Sequence, residues 1–338
     1  MRRCIALLGV AAAVLLSAGS AKAQDLTGAG STFVNPIYSR WFSEYSNAHP
    51  GVRINYQSVG SGAGIRQVSE RTVDFGATDG PMTDRQIAES QVKLFHIPTV
   101  LGAVVPSYNI PGLNRDLNLA PEVIAGIYLG KITMWNDFNI RHDNPGVNLP
   151  NRRILPVYRS DGSGTTYIFT DFLSKVVPLF QQQIGKGTSV HWPIGIGEKG
   201  NEGVAGMVRN TPYSFGYLEL IYALQNNMPY GLVRNAAGRY VKASIQAVTA
   251  DAAADVNNIP ADFRVSITNA PGADSYPISS FTWLLIPQHW DDAAKERVMV
   301  DFLHWMLDHG EAEAPGLGYA PLPQALVPRV RQTIDQIR

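Results

Sequence analysis

Short apolar runs alternate with amphipathic helical patterns along this chain, and this alternation restricts the fold more than any other feature. The strand-like runs are VRINYQSV (52–59), VDFGAT (73–78), TVLGAVVPSYNI (99–110) and ISSFTWLLIP (278–287). Helices are expected after Gly64 and over residues 293–309, with Gly310 ending the second. The expected core residues of that last helix are Val298, Phe302, Trp305 and Met306. Strands that alternate with helices predict an α/β fold with a parallel sheet.

The N-terminus has the layout of a secretory signal peptide. Residues 1–24 read MRRCIALLGVAAAVLLSAGSAKAQ, with two arginines, an apolar run of roughly a dozen residues and small residues around the Ala21-Lys22-Ala23 end. We expect residues 1–23 to be removed by cleavage after Ala23. The alternative is a membrane anchor, which needs about 20 apolar residues, and this run is shorter. Cys4, the only cysteine, lies in this segment, so we expect no disulfide in the exported chain.

The charge balance argues against nucleic acid as a partner. The chain has 28 basic and 28 acidic residues, and removal of the signal segment with its three basic residues leaves 25 against 28. Nucleic acid binding relies on a basic field, so any anion site here must be local. The seven histidines are scattered, and His304 and His309 are five apart, which does not place them on one helix face. We expect no metal and no cofactor.

Three turns of small residues share one design, because each is followed by a helical pattern. They are GAGSTF (28–33), GSGAGI (60–65) and GSGTTY (162–167). A helix start leaves backbone N–H groups unpaired, glycine lets a ligand approach the backbone, and serine or threonine adds a hydroxyl donor. Ordinary helix capping explains any one of these turns. Three of them in one chain favour an anion site.

Charged residues add to this pattern. Arg159 precedes the third turn, and a guanidinium suits two oxygens of an oxyanion. Asp161 is suited either to hold that guanidinium or to cap the helix. Asp79 follows a strand in DFGATDGPMT, and on its own it would be interpreted as a turn or cap residue before Pro81. Together these residues indicate one cation and two carboxylates near the three turns.

Enzyme motifs do not match the sequence. Neither Ser61 nor Ser163 lies in a G-x-S-x-G elbow, and GIYLGK (126–131) lacks the spacing of a P-loop. No G-x-G-x-x-G follows a strand with the downstream acid of a dinucleotide site. A hydrolase triad of Ser163, Asp161 and an unplaced histidine stays open at this point, because the sequence contains no geometry for it.

Eight segments, in order over essentially the whole exported chain, resemble the periplasmic phosphate-binding proteins of bacterial high-affinity phosphate ABC transporters. They are LTGAGSTF, VGSGAG, TVDFGATDGPMTD, IPTVLGAVV, AGIYLGKITMWND, RSDGSGTTYIFTDFL, HWPIGIGEKGNEGVAG and SYPISSFTWLLI. The resemblance implies a type 2 periplasmic binding protein fold, in which two α/β lobes joined by hinge strands close around one phosphate. It implies one lobe of residues 24–103 and 279–338 and a second lobe of residues 104–278. The chain departs from the family at Tyr158, where members can carry a second arginine.

The resemblance also implies the site and the role. The implied ligand contacts, carried over by motif, are Thr32, Phe33, Ser61, Asp79, Arg159, Ser163, Gly164 and Thr165. Phe33 and Gly164 would act through their backbone N–H groups, and Asp161 would orient Arg159. The implied protein is a periplasmic monomer without enzymatic activity that delivers phosphate to a membrane permease and ATPase complex.

Two alternatives remain at this stage. One is a secreted phosphatase or other hydrolase on a similar scaffold, and the other is a binding protein for sulfate, molybdate or a phosphonate. Asp79 separates the second from a phosphate receptor, because a carboxylate can accept a hydrogen bond from an oxyanion that carries a proton.

Overall fold

The computed structural model describes residues 24–338, so the predicted signal segment and the predicted cleavage after Ala23 lie outside the described residues. The strands are β1 (Gln24–Gly30), β2 (Val52–Ser58), β3 (Phe75–Thr78), β4 (Leu94–Tyr108), β5 (Asn118–Leu119), β6 (Leu155–Arg159), β7 (Ile196–Glu198), β8 (Ser214–Glu219), β9 (Leu232–Arg234), β10 (Tyr240–Val241) and β11 (Ser279–Pro287). The α-helices are α1 (Asn35–Ala48), α2 (Ser61–Ser69), α3 (Asp84–Glu89), α4 (Pro121–Tyr128), α5 (Phe138–Asp143), α6 (Gly164–Val176), α7 (Pro178–Gln183), α8 (Gly200–Asn210), α9 (Leu220–Gln225), α10 (Ile245–Asp255), α11 (Ala293–Asp308) and α12 (Val327–Ile334). Two short 3-10 helices cover Val256–Asn258 and Gly310–Leu317.

Eight strands form the main sheet, in the order β2-β1-β3-β11-β4-β8-β6-β7, and β10, β9 and β5 form a small second sheet. Strands β1, β2 and β3 are parallel to one another, and so are β8, β6 and β7. Strand β11 runs antiparallel to β3 and β4, and β4 runs antiparallel to β8. The predicted α/β fold is confirmed, but the prediction of a parallel sheet is wrong for β4 and β11. Strand β11 pairs with β3 and β4, which lie far from it in the sequence, so no strand-helix-strand crossover sets their relative direction.

Strand β4 joins the two halves of the main sheet. Its residues up to Ala103 pair with β11, and its residues from Val104 onward pair with β8. The strand begins earlier than residue 99 and includes Pro98, which cannot donate a ladder hydrogen bond. The register of β11 shifts between Phe281 and Trp283, next to the position that pairs with Pro98. This irregularity accommodates the proline within a long strand.

The helix starts differ slightly from the predicted positions. Helix α2 begins at Ser61, ahead of Gly64, and α1 begins at Asn35 with Pro36 in its first turn. Phe33 therefore precedes α1 although it fits the helical spacing of that segment. These shifts matter for function, because Phe33 and Ser61 both lie in the turns that open the helices.

One hydrophobic cluster extends through both halves of the sheet and includes the fully buried Trp41, Trp135 and Trp283. On α11, Phe302 and Met306 are fully buried, and Val298 and Trp305 pack against the cluster, as predicted. Within residues 24–338, none of the helices combines the length and the apolar character needed to cross a bilayer.

Asp171 ties α6 to the segment that precedes β11. Its fully buried carboxylate accepts hydrogen bonds from Lys186 Nζ at 2.7 Å, Ser266 Oγ at 2.5 Å and Thr268 Oγ1 at 2.7 Å, and Lys175 Nζ lies at 3.1 Å. Burial opposes ionisation, but the hydrogen bond from Lys186 and the other donors outweigh it and lower the pKa of Asp171 to about 2. The carboxylate therefore stabilises the folded state while it is ionised.

Asp171→Asn should lower the free energy of unfolding at pH 7 by about 2 kcal/mol, because the amide keeps the shape but loses the ionic contacts. The folded pKa lies below the unfolded value, so this contribution is present above about pH 4 and is lost as the pH falls towards 2. Urea unfolding at several pH values should show the difference between the two proteins shrinking in acid. The exposed Asp291, paired with Arg71, supplies the control Asp291→Asn, which should change little. Equal stability of wild type and Asp171→Asn at pH 7 would contradict this account.

Candidate functional site

The predicted site residues all lie at or just beyond the carboxyl ends of parallel strands. Thr32 and Phe33 follow β1, Ser61 follows β2, Asp79 follows β3, Arg159 ends β6, and Ser163, Gly164 and Thr165 open α6. Ligands of open α/β sheets bind at this edge, outside the carboxyl ends of the strands. The topology therefore brings residues that are far apart in the sequence to one place.

The turn after β2 and the turn after β6 are in direct contact. The Gly62 N–H donates to the Gly162 carbonyl oxygen at 2.8 Å. A Cβ atom added to Gly164 would collide with Asp79 Oδ2 and with Ser61 Oγ. Only glycine allows the start of α6 to approach the carboxylate this closely. Residues from both halves of the sheet thus form a single site.

Arg159 is a buried cation held by Asp161. Its Nε donates to Asp161 Oδ1 at 2.8 Å, its Nη2 donates to Asp161 Oδ2 at 2.5 Å, and its Nη1 donates to Thr165 Oγ1 at 3.2 Å. Asp161 Oδ1 also accepts from the Gly200 N–H at 3.0 Å. Burial alone would raise the pKa of Asp161, but the bonds and charge of Arg159 outweigh it and lower the pKa. These bonds use three of the five guanidinium N–H groups, which leaves two for an oxyanion.

Asp79 is a second buried carboxyl group of the site. Ser31 Oγ donates to its two oxygens at 2.5 and 2.6 Å, and Ser61 Oγ lies 3.3 Å from Oδ2. Burial raises the pKa of Asp79 to about 7, and the Ser31 bond and the charge of Arg159 oppose this rise only partly. The group is therefore close to half ionised near neutral pH, and in its ionised form it can accept a hydrogen bond from a protonated oxyanion.

Helix capping accounts for only one of the three turns. Ser163 Oγ accepts from the Thr166 N–H at 3.0 Å as the N-cap of α6, whereas the N-caps of α1 and α2 are Val34 and Gly60 and make no side-chain cap bond. The Ser163 hydroxyl keeps its own proton for donation. In the part of the chain that the structure describes, Ser163 Oγ makes no hydrogen bond to an imidazole.

The first turn is more constrained than the sequence suggested. The Phe33 N–H donates to Ser31 Oγ at 2.9 Å, so a contact between this amide and an anion would be shared with the serine. Thr32 Oγ1 accepts from Asn201, at 3.2 Å from the backbone N–H and at 2.9 Å from Nδ2. The Phe33 carbonyl oxygen accepts from Tyr319 Oη at 2.6 Å, which fixes the backbone of this turn.

Sequence reasoning missed two residues of the site, Ser31 and Asn201. Both are fully buried. Ser31 lies within GAGSTF, but only tertiary structure brings its hydroxyl group to Asp79. Asn201 lies in GEKGNEG, where a glycine turn follows β7 and opens α8. This fourth turn has the same strand, glycine and helix order as the other three, and that signal could have found it.

Comparison with known proteins gives the family. A PBP superfamily domain matches residues 16–309. A phosphate-binding protein PstS from Xylella fastidiosa (strain Temecula1) is 43% identical over 316 residues, which cover 93% of this chain and 86% of that protein. The chain belongs to the PstS phosphate-binding protein family. The PstS protein of Pasteurella multocida is 40% identical over 311 residues, covering 92% of this chain and 90% of its own. The resemblance inferred from the motifs is confirmed.

The fold has a solved counterpart in a high-affinity periplasmic phosphate-binding protein bound with phosphate. That structure has a TM-score of 0.73 and 21% sequence identity, and the match covers 91% of this chain and 93% of the other. It supports the fold alone, and the predicted type 2 periplasmic binding fold is confirmed. Tyr158 stacks on Trp192 with ring centroids 5.8 Å apart. This residue therefore contributes packing at the end of β6.

Gly164→Ala should weaken anion binding by at least tenfold, because the new methyl group would occupy the space where α6 approaches Asp79 and Ser61. The fold itself should persist, since the collision lies between two turns that meet at the site. Isothermal titration measures the affinity, and thermal unfolding without ligand measures the stability. Gly206→Ala is the matched control, because a Cβ on this helical glycine meets nothing within 4 Å. Wild-type affinity in Gly164→Ala would show that the close approach is not needed.

Proposed function

We propose that this protein is a soluble periplasmic receptor that captures inorganic phosphate between two lobes and delivers it to an ABC transporter permease. One observation carries this proposal: a buried guanidinium with two unused N–H groups interacts electrostatically with a buried carboxyl group whose pKa lies near neutrality. A site with a permanent cation and a proton acceptor suits an oxyanion that keeps a proton. Phosphate near neutral pH meets this description, and sulfate does not.

We assign the ligand contacts as follows. The proposed donors to phosphate are Thr32, Phe33, Ser61, Arg159, Ser163, Gly164 and Thr165, and the proposed acceptor is Asp79. The N–H groups of Gly164 and Thr165 lie in the first turn of α6, where amides have no partner inside the helix and the helix dipole favours an anion. Asp161 supports the site by holding Arg159.

We further propose that residues 24–103 and 279–338 form one lobe and residues 104–278 form the other. The change of pairing partner along β4, between Ala103 and Val104, supports this division. The bond from Gly62 to Gly162 then crosses between the lobes, and so does the bond from Asn201 to Thr32. In this division the structure corresponds to the closed arrangement, and opening would separate these pairs.

Membership of the PstS family supports export and a transporter partner. We propose that residues 1–23 direct export, that cleavage after Ala23 releases the chain into the periplasm as a monomer, and that a permease and ATPase complex receives the phosphate. Its role is binding without catalysis, which agrees with the cap geometry of Ser163.

Phosphate should bind tightly and with one molecule per chain, and phosphomonoesters should not be hydrolysed. Isothermal titration of ligand-depleted protein measures the binding, and a chromogenic phosphomonoester measures hydrolysis. Native mass spectrometry of the freshly purified protein should detect the trapped anion and report the processed N-terminus. Steady hydrolysis that disappears in Ser163→Ala would support the phosphatase alternative instead.

Asp79 should make the preference for phosphate over sulfate depend on pH. The pKa of Asp79 is raised to about 7, so at pH 8 the ionised carboxylate repels a fully deprotonated anion such as sulfate. Below pH 7 the protonated carboxyl group can donate a hydrogen bond to the same anion. Sulfate should therefore bind better to the wild type as the pH falls from about 8 to 5.5. Competition titrations at fixed ionic strength measure the ratio of the two affinities.

Asp79→Asn should narrow the ratio of phosphate to sulfate affinity at pH 8, chiefly by improving sulfate binding, and should remove the part of the pH dependence that comes from Asp79 itself. Asp74→Asn serves as the control, because Asp74 pairs with Lys295 away from the site. An unchanged ratio in Asp79→Asn would remove this residue from the selection of the anion.

A further inference from the structure

Asn201 uses all of its side-chain polar groups inside the protein. Its Nδ2 donates to Thr32 Oγ1 at 2.9 Å and to Thr165 Oγ1 at 3.1 Å, and its Oδ1 accepts from the Glu219 N–H at 3.0 Å. Its backbone N–H also donates to Thr32 Oγ1 at 3.2 Å. Because Glu219 N–H is a donor, the oxygen of the Asn201 amide must face it and the nitrogen must face the two threonines.

These bonds determine how the threonine hydroxyl groups can act. A hydroxyl group has two acceptor lone pairs and one proton. Thr32 Oγ1 accepts two hydrogen bonds from Asn201, and Thr165 Oγ1 accepts one from Asn201 and one from Arg159 Nη1. With both acceptor positions occupied, each hydroxyl can only donate to a further partner. Asn201 thus turns two neutral hydroxyls into donors, which is the polarity that an anion requires.

The contact with Thr32 also depends on closure. Thr32 follows β1 in the first proposed lobe, whereas Asn201, Thr165 and Glu219 all belong to residues 104–278. Opening would leave Asn201 bonded to Thr165 and Glu219 but would separate it from Thr32. The donor polarity of Thr32 would therefore be established only when the lobes meet.

We propose that Asn201 is a positioning residue that couples lobe closure to the orientation of the Thr32 and Thr165 hydroxyl groups and so lengthens the time that phosphate stays bound. It acts through the two threonines and does not touch the anion. This inference rests on the proposed phosphate function and extends it to a residue in the turn before α8.

Asn201→Ala should raise the dissociation rate of phosphate roughly tenfold, because it removes the side-chain hydrogen bond that crosses to Thr32 and the bond that orients Thr165, while the backbone N–H of residue 201 still donates to Thr32. The association rate should change less than about threefold, because encounter precedes closure and most changes at one interface affect dissociation. Stopped-flow mixing of the ligand-depleted full chain with phosphate, followed by chase with a phosphate trap, measures both rates.

Asn201→Asp tests the donor polarity more directly. It keeps an oxygen that accepts from the Glu219 N–H, and it replaces the amide nitrogen that donates to the two threonines with a carboxylate oxygen. The threonine hydroxyls would then donate to Asp instead of to the anion. Phosphate should dissociate from this variant at least as fast as from Asn201→Ala. In a Thr32→Val background, Asn201→Ala should raise the dissociation rate of phosphate by a smaller factor than it does in the wild type. The reason is that part of the effect of Asn201 depends on the Thr32 hydroxyl group.

Asn144→Ala controls for the loss of a buried asparagine. Asn144 is also buried, and its amide nitrogen donates to the Asn118 and Ile140 carbonyl oxygens. This variant should lower the melting temperature and leave the dissociation rate unchanged. If phosphate dissociated equally fast from Asn144→Ala and from Asn201→Ala, the acceleration would be a general effect of destabilisation. That result would overturn the inference.

The remaining outcomes are also decisive. If the wild type binds phosphate tightly and Asn201→Ala or Asn201→Asp releases it at the wild-type rate, the positioning role is wrong while the proposed function stands. If the wild type itself does not bind phosphate, the proposed function fails, and this inference fails with it.

Discussion

The buried ion pair of Arg159 and Asp161 is the interaction on which the rest of the site depends. A guanidinium removed from water is costly unless a well-placed carboxylate offsets the loss, and Asp161 does so through two hydrogen bonds. The pair also constrains its neighbours. Asp161 accepts from the Gly200 N–H, which places the start of α8 beside the site, and a Cβ at Gly60 would collide with Asp161 Oδ2. Two of the glycine turns therefore contact one salt bridge, and one of them needs its glycine for that contact.

The same burial explains how the site can distinguish anions. Exclusion of water strengthens the attraction between Arg159 and any anion, and it raises the pKa of Asp79 to about 7. In the proposed site, Arg159 would respond to the charge of a ligand and Asp79 would respond to its protons. An exposed site with the same residues would have neither property, because solvent would screen the cation and would keep Asp79 ionised.

The glycines and serines of the turns show how far sequence reasoning reaches. Strand, glycine and helix order is a local pattern, so it predicted the turns that contain Thr32, Ser61 and Ser163, and each turn lies in the site. The direction of β4 and β11 was not predictable in this way, because apolar runs look the same in parallel and antiparallel strands. Ser31 was not predictable either, since its role depends on Asp79, which lies 48 residues further along the chain.

The sequence by itself determined the α/β elements, the three helix-opening turns, and the presence of one arginine and two carboxylates near them, because propensity, capping and glycine geometry act over a few residues. Only the tertiary structure decided that the turns after β2 and β6 touch, that Asp79 is buried enough for its pKa to rise, and that Asn201 joins Thr32 to Thr165. These properties depend on water exclusion and on hydrogen bonds between residues far apart in the chain. The exclusion of water and the long-range hydrogen bonds arise only when the strands pair and bring their carboxyl ends together.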